Sequence, residues 1–272
     1  MNGLEYARPD GRSLHLDLYL PRDIPEPYPL VVWIHGGGWI EGDRSMNYTV
    51  RRLDGRGFAF AAIDHRKAHE VSFPDPLLDC RAAIRWLRFN GDNFGLDTEC
   101  IGVWGESSGG HLALLLGLSA GDEHLDPPEQ GGVSSDVQAV CSWFAPTDLL
   151  NPGAVMNLGD HDAPGSPLYH LLNGPLNERV RLAALASPVS HIRGDAPPVL
   201  LVHGREDDIV SYRQSMRLDE LLRGAGAESE LMLIEGAGHG GDAFTRPEVL
   251  DRVTEFFSRT LRRRPAKDRP SA

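Results

Sequence analysis

The sequence predicts an α/β fold in which helices cover both faces of a mainly parallel, eight-stranded sheet. Two observations favour it: short continuous apolar runs recur along the 272 residues, and segments with helical apolar spacing separate them. Strands that alternate with helices are typical of parallel sheets, because a crossover helix returns the chain to the start of the next strand. We expect one domain over residues 1–262, followed by a flexible, proline-rich tail at 263–272.

The predicted elements begin with a hairpin. Residues 14–20 alternate between apolar and polar side chains, which predicts a half-exposed edge strand, and residues 4–8 are its partner across Pro9-Asp10-Gly11. The buried strands are expected at 29–34, 58–63, 101–104, 137–144, 198–202 and 230–234. The helices are expected at 76–89, 108–118, 212–223 and 247–261.

One long connection interrupts this alternation. Residues 147–191 mix Pro, Gly, Asn and His with apolar side chains such as Val155, Met156, Leu158 and Tyr169. A connection of this length between two strands usually carries a function. We therefore predict a small helical cap, or lid, inserted into the domain at about residues 147–191.

Composition excludes several classes of partner. The net charge is −12, and such a field repels both nucleic acid and anionic membrane surfaces. No apolar run approaches the roughly 20 residues of a membrane span, and the first residues lack a signal-peptide pattern. Cys80, Cys100 and Cys141 lie in apolar settings without a CxxC pair, which predicts buried free thiols. These features together predict a cytoplasmic protein.

No pattern indicates a metal or another cofactor. The sequence contains neither an HExxH motif nor paired Cys/His spacing of the kind that binds zinc. His65 and His69 are four residues apart, but they lie in a segment of polar residues and prolines rather than in a clear helix. We therefore expect chemistry performed by side chains alone.

A candidate nucleophile lies in the pentapeptide Gly105-Glu106-Ser107-Ser108-Gly109, between a predicted strand and a predicted helix. This is the context of a nucleophile elbow, in which small residues let the chain turn sharply and hold the Ser107 hydroxyl above the sheet. A phosphate-binding turn or a helix N-cap is the alternative for the same pattern. The placement between an apolar strand and an apolar helix favours the nucleophile.

A glycine-rich segment, HGGGW at 35–39, directly follows the strand at 29–34. Acyl transfer places negative charge on a carbonyl oxygen, and the amides of residues without side chains can approach that charge closely. The oxyanion donors are therefore expected from Gly36 and Gly37, with the Ser108 amide as the third. His35 is interpreted as a residue that pins this loop.

The remaining partners of the nucleophile lie in the loops after two later strands. The loop after 198–202 carries Glu206, Asp207 and Asp208, and an acid at this end of a strand can orient a histidine. Asp207 is the predicted acid, and spacing alone leaves Asp208 as an alternative. His239, in a glycine-rich loop, completes the chain order serine, acid, histidine and is the predicted base.

Four side chains near these loops are predicted to contact the substrate. They are Trp39, Glu106, Trp143 and Phe144. Aromatic residues in such positions line an acyl or aromatic pocket or form ordinary core, and the sequence leaves both alternatives open for the three aromatic residues. Glu106, beside the nucleophile, is expected to contact substrate or to order the loop.

Taken together, these motifs resemble the α/β-hydrolase superfamily, and within it the HGGG-bearing esterases related to hormone-sensitive lipase and the bacterial feruloyl-esterase-like group. Asp64-His65-Arg66 is similar to the family's Asp-Tyr-Arg segment, with a histidine in place of tyrosine, and Asp79 and Trp86 fit the helix that follows. The resemblance spans residues 14–257.

This resemblance implies a serine carboxylesterase that cleaves short or medium acyl or aryl esters through an acyl-enzyme intermediate. Deacetylation and arylformamide hydrolysis are implied alternatives within the same fold. A biosynthetic lyase or cyclase and a non-catalytic ligand-binding protein are alternatives from other classes. The implied partner is a small-molecule ester, and the sequence leaves both a monomer and a homodimer open.

Overall fold

A computed structural model describes residues 1–22, 24–53, 55–127, 132–151, 156–157 and 159–261. The predicted tail at 263–272 lies outside the described residues, as do Val155 and Leu158 of the predicted cap. Within the described part, eight strands form one sheet, as the alternation of apolar runs predicts.

Each strand overlaps a predicted segment. Their bounds are β1 Leu4–Ala7, β2 Leu14–Tyr19, β3 Tyr28–Ile34, β4 Ala59–Ile63, β5 Leu96–Glu106, β6 Ala139–Trp143, β7 Val199–Gly204 and β8 Ser229–Ile234. In the sheet they lie in the order β1-β2-β4-β3-β5-β6-β7-β8. The strands from β3 to β8 run parallel, whereas β2 is antiparallel to both of its neighbours, β1 and β4.

One strand prediction is wrong in its placement. Residues 14–20 were expected at the edge of the sheet, but β2 pairs with β1 on one side and with β4 on the other. The strand at this edge of the sheet is β1, which is only 4 residues long. A short edge strand exposes few unpaired backbone groups, and β2 is correspondingly more buried than its alternating pattern indicates.

Helices cover both faces of the sheet and enclose two separate apolar cores. Alternate residues of β3 contribute to each core: Val32 belongs to one and Val31 to the other. Helices α2 (Asp75–Asn90), α3 (Ser108–Leu118) and α6 (Arg213–Gly224) pack on the first face. Helices α1 (Tyr48–Arg51) and α7 (Pro247–Thr260) pack on the second.

The second core contains a cluster of three tryptophans. Trp104 of β5 lies edge-on against Trp33 of β3, with 5.0 Å between ring centroids, and 4.8 Å from Trp143 of β6. All three side chains are almost fully buried. Phe244 contacts Trp143 at a centroid distance of 5.3 Å, which joins the cluster to the loop between β8 and α7.

The segment between β6 and β7 contains short helices. Helix α4 (Pro167–Leu172) starts with Ser166, whose side chain accepts a hydrogen bond from the Tyr169 amide, and α5 (Val180–Leu185) follows. Leu168, Leu171 and Leu172 are buried in the first core. The segment is thus anchored to the sheet by its own apolar side chains.

Cys80, Cys100 and Cys141 are buried free thiols, as predicted. Among the described residues, no helix combines the length and the apolar character that crossing a membrane requires.

Candidate active site

The candidate residues meet at the carboxyl ends of four parallel strands. Ser107 follows β5, the glycine segment follows β3, Asp207 follows β7 and His239 follows β8. Because parallel strands end at the same edge of a sheet, loops that are distant in sequence come together there. The rest of the site follows from how each loop is held.

Ser107 sits on a sharp turn between β5 and α3. Its backbone is in an unusual conformation, φ 51° and ψ −121°, and its amide donates to the Trp143 carbonyl at 2.9 Å. A Cβ on Gly105 would lie 2.3 Å from the Gly109 carbonyl, and one on Gly109 would lie 2.2 Å from the Ile34 carbonyl. The turn therefore requires glycine on both sides of the serine.

Ser107, His239 and Asp207 form one chain of hydrogen bonds. The Ser107 hydroxyl lies 3.0 Å from His239 Nε2, and His239 Nδ1 lies 2.7 Å from Asp207 Oδ2. A carboxylate only accepts hydrogen bonds, so Nδ1 carries the proton and Nε2 is free to accept one from the serine. This is the tautomer that a general base needs.

Asp207 and Asp208 are separated by their surroundings. The Asp207 side chain is fully buried, and its second oxygen accepts hydrogen bonds from the amides of Ile209 and Val210, at 2.9 and 2.8 Å. Asp208 is exposed. Burial raises the pKa of the Asp207 carboxyl, but hydrogen bonds from His203 and His239 outweigh burial and hold that pKa well below its usual range.

His203 is a supporting residue that the sequence reasoning missed. It is fully buried, its Nδ1 lies 2.8 Å from the Ser215 hydroxyl, and its Nε2 lies 2.8 Å from the Val210 carbonyl and 3.2 Å from Asp207 Oδ2. The imidazole thus ties the acid loop to helix α6. Its position at the end of β7, four residues before Asp207, was the available signal.

The glycine segment passes directly beside the nucleophile. A Cβ placed on Gly36 would lie 3.5 Å from Ser107 Cβ, and Gly37 has a φ of 112°, which favours glycine. The Gly37 carbonyl accepts hydrogen bonds from Ile40 and Glu41, which folds the loop back on itself. Within the described residues, the amides of Gly36 and Gly37 donate no hydrogen bond, and neither does the Ser108 amide.

A cavity of about 350 Å³ opens above Ser107. The predicted contacts Trp39, Glu106 and Phe144 line it, and Met156 and Pro167 contribute from the segment between β6 and β7. The Phe144 ring packs against the His239 imidazole at a centroid distance of 4.7 Å. The other lining residues are Gly36, Gly37, Gly38, Tyr48, Ser107, Ser108, Pro146, Ile209, Val210, His239, Gly240 and Gly241.

Trp143 does not belong to this cavity, so its prediction as a substrate contact is corrected. Its side chain is 1% exposed and packs in the second core against Trp104 and Phe244. Only its backbone reaches the site, through the carbonyl that accepts the Ser107 amide. Phe144, the next residue, has a φ of 38° and lines the cavity instead.

Glu106 is the carboxylic acid that lines the cavity. Its side chain lies along Gly36, and it forms no hydrogen bond or ion pair within the part of the chain that the structure describes. Burial raises the pKa of Glu106 to about 7, although the nearby His239 offsets part of that rise. The cavity therefore contains one carboxyl group whose charge changes near neutral pH.

Metal-binding geometry is not found in the described part of the chain. No group of three or more His, Cys, Asp or Glu side chains there is arranged to hold a metal ion. His65 stacks on His35 with 4.5 Å between ring centroids, while His69 is exposed and lies near His170.

Several proteins that this chain resembles are named esterases. Esterase LipC of Mycobacterium tuberculosis is 32% identical over 244 residues, which cover 86% of this chain and 58% of that protein. The chain spans 49 to 58% of the length of three mycobacterial relatives, LipC, LipQ and LipM.

Solved structures of esterases share the fold. A truncated carbohydrate esterase from gut microbiota has a TM-score of 0.83 at 28% identity, covering 96% of this chain and 95% of that chain. Thermogutta terrifontis esterase 2, phosphonylated by cyclosarin, has a TM-score of 0.76 at 27% identity, covering 94% and 92%. The α/β-hydrolase fold that the motifs imply is thereby confirmed. A family model, BD-FAE, matches residues 16–222, and the chain belongs to this family of α/β-hydrolases.

Proposed function

We propose that this chain is a serine hydrolase that cleaves carboxylic esters of short or medium acyl groups through an acyl-enzyme intermediate. The observation that carries the proposal is the continuous hydrogen-bonded chain from the Ser107 hydroxyl through His239 to the buried Asp207. Relatives that are named esterases support the type of bond that is cleaved. The small, mainly apolar cavity supports a substrate of modest size.

In the first half of the reaction, Ser107 Oγ attacks the ester carbonyl carbon while His239 Nε2 takes the hydroxyl proton. Negative charge develops on the carbonyl oxygen, next to the amides of Gly36, Gly37 and Ser108, which have no other acceptor within the described residues. When the tetrahedral intermediate collapses, the imidazolium gives its proton to the leaving alcohol oxygen. The acyl group stays on Ser107.

In the second half, His239 takes a proton from water, and the hydroxide oxygen forms a bond to the acyl carbon. The bond to Ser107 Oγ then breaks, and the serine recovers its proton from the imidazolium. Asp207 holds Nδ1 protonated throughout, and its charge stabilises the imidazolium in both halves.

Labelling by a fluorophosphonate probe tests the nucleophile, together with hydrolysis of p-nitrophenyl acetate and butyrate. The native protein should be labelled once and should hydrolyse both esters, and Ser107→Ala should lose both properties. Ser258→Ala, on helix α7, is the matched control and should behave like the native protein. A folded native protein that resists the probe would contradict the proposal.

We also propose that Glu106 accepts a hydrogen bond from a hydroxyl group on the substrate. Its carboxyl lines an apolar cavity without a partner among the described residues, so a donor on the substrate would compensate for its burial. Two substrates test this contact: 2-hydroxyethyl acetate carries a hydroxyl group where propyl acetate carries a methyl group. The ratio of their kcat/KM values should fall roughly 10-fold in Glu106→Leu, and an unchanged ratio would exclude this contact.

The remaining expectations concern the whole chain. We propose a single domain over residues 1–262 with the segment at 147–191 as its cap, and the cap residues Met156 and Pro167 in the cavity wall support this. Buried free thiols support the predicted cytoplasmic location.

Size-exclusion chromatography with light scattering would measure the mass of the protein in solution and so show whether it forms a homodimer.

A further inference from the structure

Behind the glycine segment, a lysine and a histidine form a second chain of hydrogen bonds. His35 follows β3 and Lys67 follows β4, and the two strands are parallel neighbours with Ile34 opposite Ile63. Lys67 Nζ lies 2.9 Å from His35 Nε2, and His35 Nδ1 lies 2.7 Å from the Gly36 carbonyl oxygen. The His35 imidazole is fully buried.

The roles of donor and acceptor in this chain follow from chemistry. An ammonium group only donates hydrogen bonds, so His35 Nε2 accepts from Lys67. The imidazole proton must then sit on Nδ1, which donates to the Gly36 carbonyl. Burial and the neighbouring Lys67 lower the pKa of His35 to about 4, which keeps the imidazole neutral.

The carbonyl that His35 contacts belongs to the peptide group that also carries the Gly37 amide. A hydrogen bond to the carbonyl oxygen of a peptide polarises it and makes its N–H a stronger donor. The Gly37 amide lines the substrate cavity and has no acceptor among the described residues. A cation on one side of the loop is thus connected to an oxyanion donor on the other.

We propose that Lys67 is a positioning residue that acts through His35 and the Gly36–Gly37 peptide to strengthen the oxyanion donor at Gly37. The inference rests on the proposed function, because it assigns the Gly37 amide to the oxyanion of acyl transfer. Lys67 itself faces a different cavity, of about 510 Å³, which shares no lining residue with the cavity above Ser107. Its effect on the reaction therefore passes through the loop.

The surroundings hold both ends of this chain in place. Arg66, next to Lys67, is buried and donates two hydrogen bonds of 2.9 Å to the carboxylate of Asp79. The Ala68 amide donates to the Trp39 carbonyl at 2.8 Å, which ties the Lys67 segment to the far end of the glycine loop. Hydrogen bonds therefore join the Lys67 segment to both ends of the glycine loop.

Several titratable or charged groups face Lys67. They are Asp64, Asp43, Arg12, Cys80 and the two histidines, His35 and His65. Burial lowers the pKa of Lys67 to about 8, although the carboxylates of Asp64 and Asp43 oppose the shift. The polarising cation is present below this pH and is lost above it, so oxyanion stabilisation should decline as pH rises through about 8.

The experiment compares Lys67→Met, which removes the charge at similar length, with Lys67→Arg, which keeps a permanent cation. Removing one oxyanion donor costs about 10²- to 10³-fold, and weakening it costs less, so we expect kcat of Lys67→Met to fall roughly 3- to 10-fold. KM should change by less than about twofold, because the oxyanion forms only in the transition state. Affinity for an alkyl trifluoromethyl ketone, which forms a hemiketal oxyanion on the serine, should fall by the same factor as kcat.

Lys67→Arg should keep most of the native kcat and lose the alkaline decline near pH 8. Arg12→Met is the matched control, because Arg12 is a cation in the same cavity that does not contact His35. The kcat of this variant should equal the native value. Unchanged kcat and inhibitor affinity in Lys67→Met, in protein that the fluorophosphonate probe still labels fully, would overturn the proposal.

A measurement on the native protein covers the case in which the variants do not fold. Nitrogen-15 NMR of the histidine rings should show His35 protonated on Nδ1 and not on Nε2. The opposite tautomer would break the chain and refute the inference. Failure of the native protein to react with the probe or to hydrolyse esters would instead refute the proposed function, so the two failures are distinguishable.

Discussion

Neighbouring aspartates in the loop after β7 differ in what surrounds them. The Asp207 carboxylate is buried and accepts hydrogen bonds from two backbone amides and from His239, whereas Asp208 is exposed. Spacing in the sequence separates the two residues only weakly, because each would follow the strand at a similar distance. Burial and the amide contacts, which depend on the folded loop, decide between them.

Replacing each of these aspartates tests that difference. Asp207→Asn should lower kcat about 10⁴-fold, because an amide no longer holds His239 in the tautomer with a free Nε2. Asp208→Asn, in the same loop, should retain the native kcat. Steady-state kinetics with p-nitrophenyl butyrate checks both, and comparable activity of the two variants would exclude Asp207 as the acid.

Glu106 should make the stability of the protein depend on pH. Its pKa is raised from 4.5 to about 7, so the folded protein binds this proton more tightly than the unfolded chain does. Its contribution to the free energy of unfolding is therefore full below pH 4.5 and is lost as the pH rises through about 7. Relative to the native protein, Glu106→Gln should be more stable at pH 8 than at pH 4.5, by about 2 to 3 kcal/mol. Urea unfolding at both pH values measures this, and an equal difference at each would contradict it.

At the scale of single residues, the sequence predicted Ser107, Asp207 and His239 as one reactive set because their glycine-rich loops and their order along the chain are local features, and the structure joins the three by hydrogen bonds. The sequence did not separate Trp143 from Phe144. Trp143 is the last residue of β6 and Phe144 is the first residue beyond it, with a φ of 38°, so only the folded turn shows which of the two rings reaches the cavity. Lys67 and His203 were missed for a related reason, since their partners come from other elements.

At the scale of elements, the turn between β5 and α3 depends on close backbone contacts. A side chain on Gly109 would lie 2.2 Å from the Ile34 carbonyl and 2.4 Å from the His35 carbonyl. Gly109→Ala should therefore push α3 away from β3, lower the free energy of unfolding and shift the nucleophile. Gly224→Ala, at the end of α6 with open space around it, should be neutral or stabilising by about 0.5 to 1 kcal/mol.

Thermal unfolding and fluorophosphonate labelling of both glycine variants check that prediction. A Gly109→Ala protein with native melting temperature and native labelling rate would show that the turn tolerates a side chain. The comparison with Gly224→Ala separates the effect of the contact from the general preference of helices for alanine.

The start of β5 and the short helix α1 could not be predicted from the local pattern of apolar residues. Strand β5 starts at Leu96, although its predicted apolar run starts at residue 101, because Leu96 and Asp97 pair with Tyr28 and Pro29 of β3. The pairing extends the strand through polar residues that have no strand pattern of their own. Helix α1 has only 4 residues, too few for apolar periodicity to appear.

At the scale of the whole molecule, the sheet divides the interior into two cores that depend on different helices. Phe257 of α7 is fully buried in the second core, and a Cβ on Gly102 of β5 would lie 2.7 Å from its ring. Phe257→Ala should lower the free energy of unfolding by about 3 to 5 kcal/mol. Phe89→Ala, at a side chain that is 76% exposed, should have little effect. Chemical denaturation of both variants checks this, and equal effects would contradict the assignment of α7 to the core.

The fold class and the positions of the main helices were predictable because they depend on local patterns. Continuous apolar runs mark the strands, and segments with helical apolar spacing mark the helices between them. The order β1-β2-β4-β3-β5-β6-β7-β8 was not predictable, since the chain skips one position in the sheet between β2 and β3, and β4 fills that position later. That order depends on which surfaces pack best in three dimensions. It explains the mistaken edge position of β2 and the unforeseen contact between the loops after β3 and β4.

The tryptophan cluster of the second core gives the protein an optical property. The centroid of the Trp104 ring lies 5.0 Å from that of Trp33 and 4.8 Å from that of Trp143. Rings at these distances are close enough for their electronic transitions to couple. Their near-ultraviolet circular dichroism would report the integrity of that layer. Trp39 lies outside this cluster: it lines the cavity, and its indole N–H donates a hydrogen bond to His111 Nδ1. Quenching of Trp39 fluorescence would therefore report a molecule bound in the cavity, whereas the circular dichroism of the cluster reports the second core.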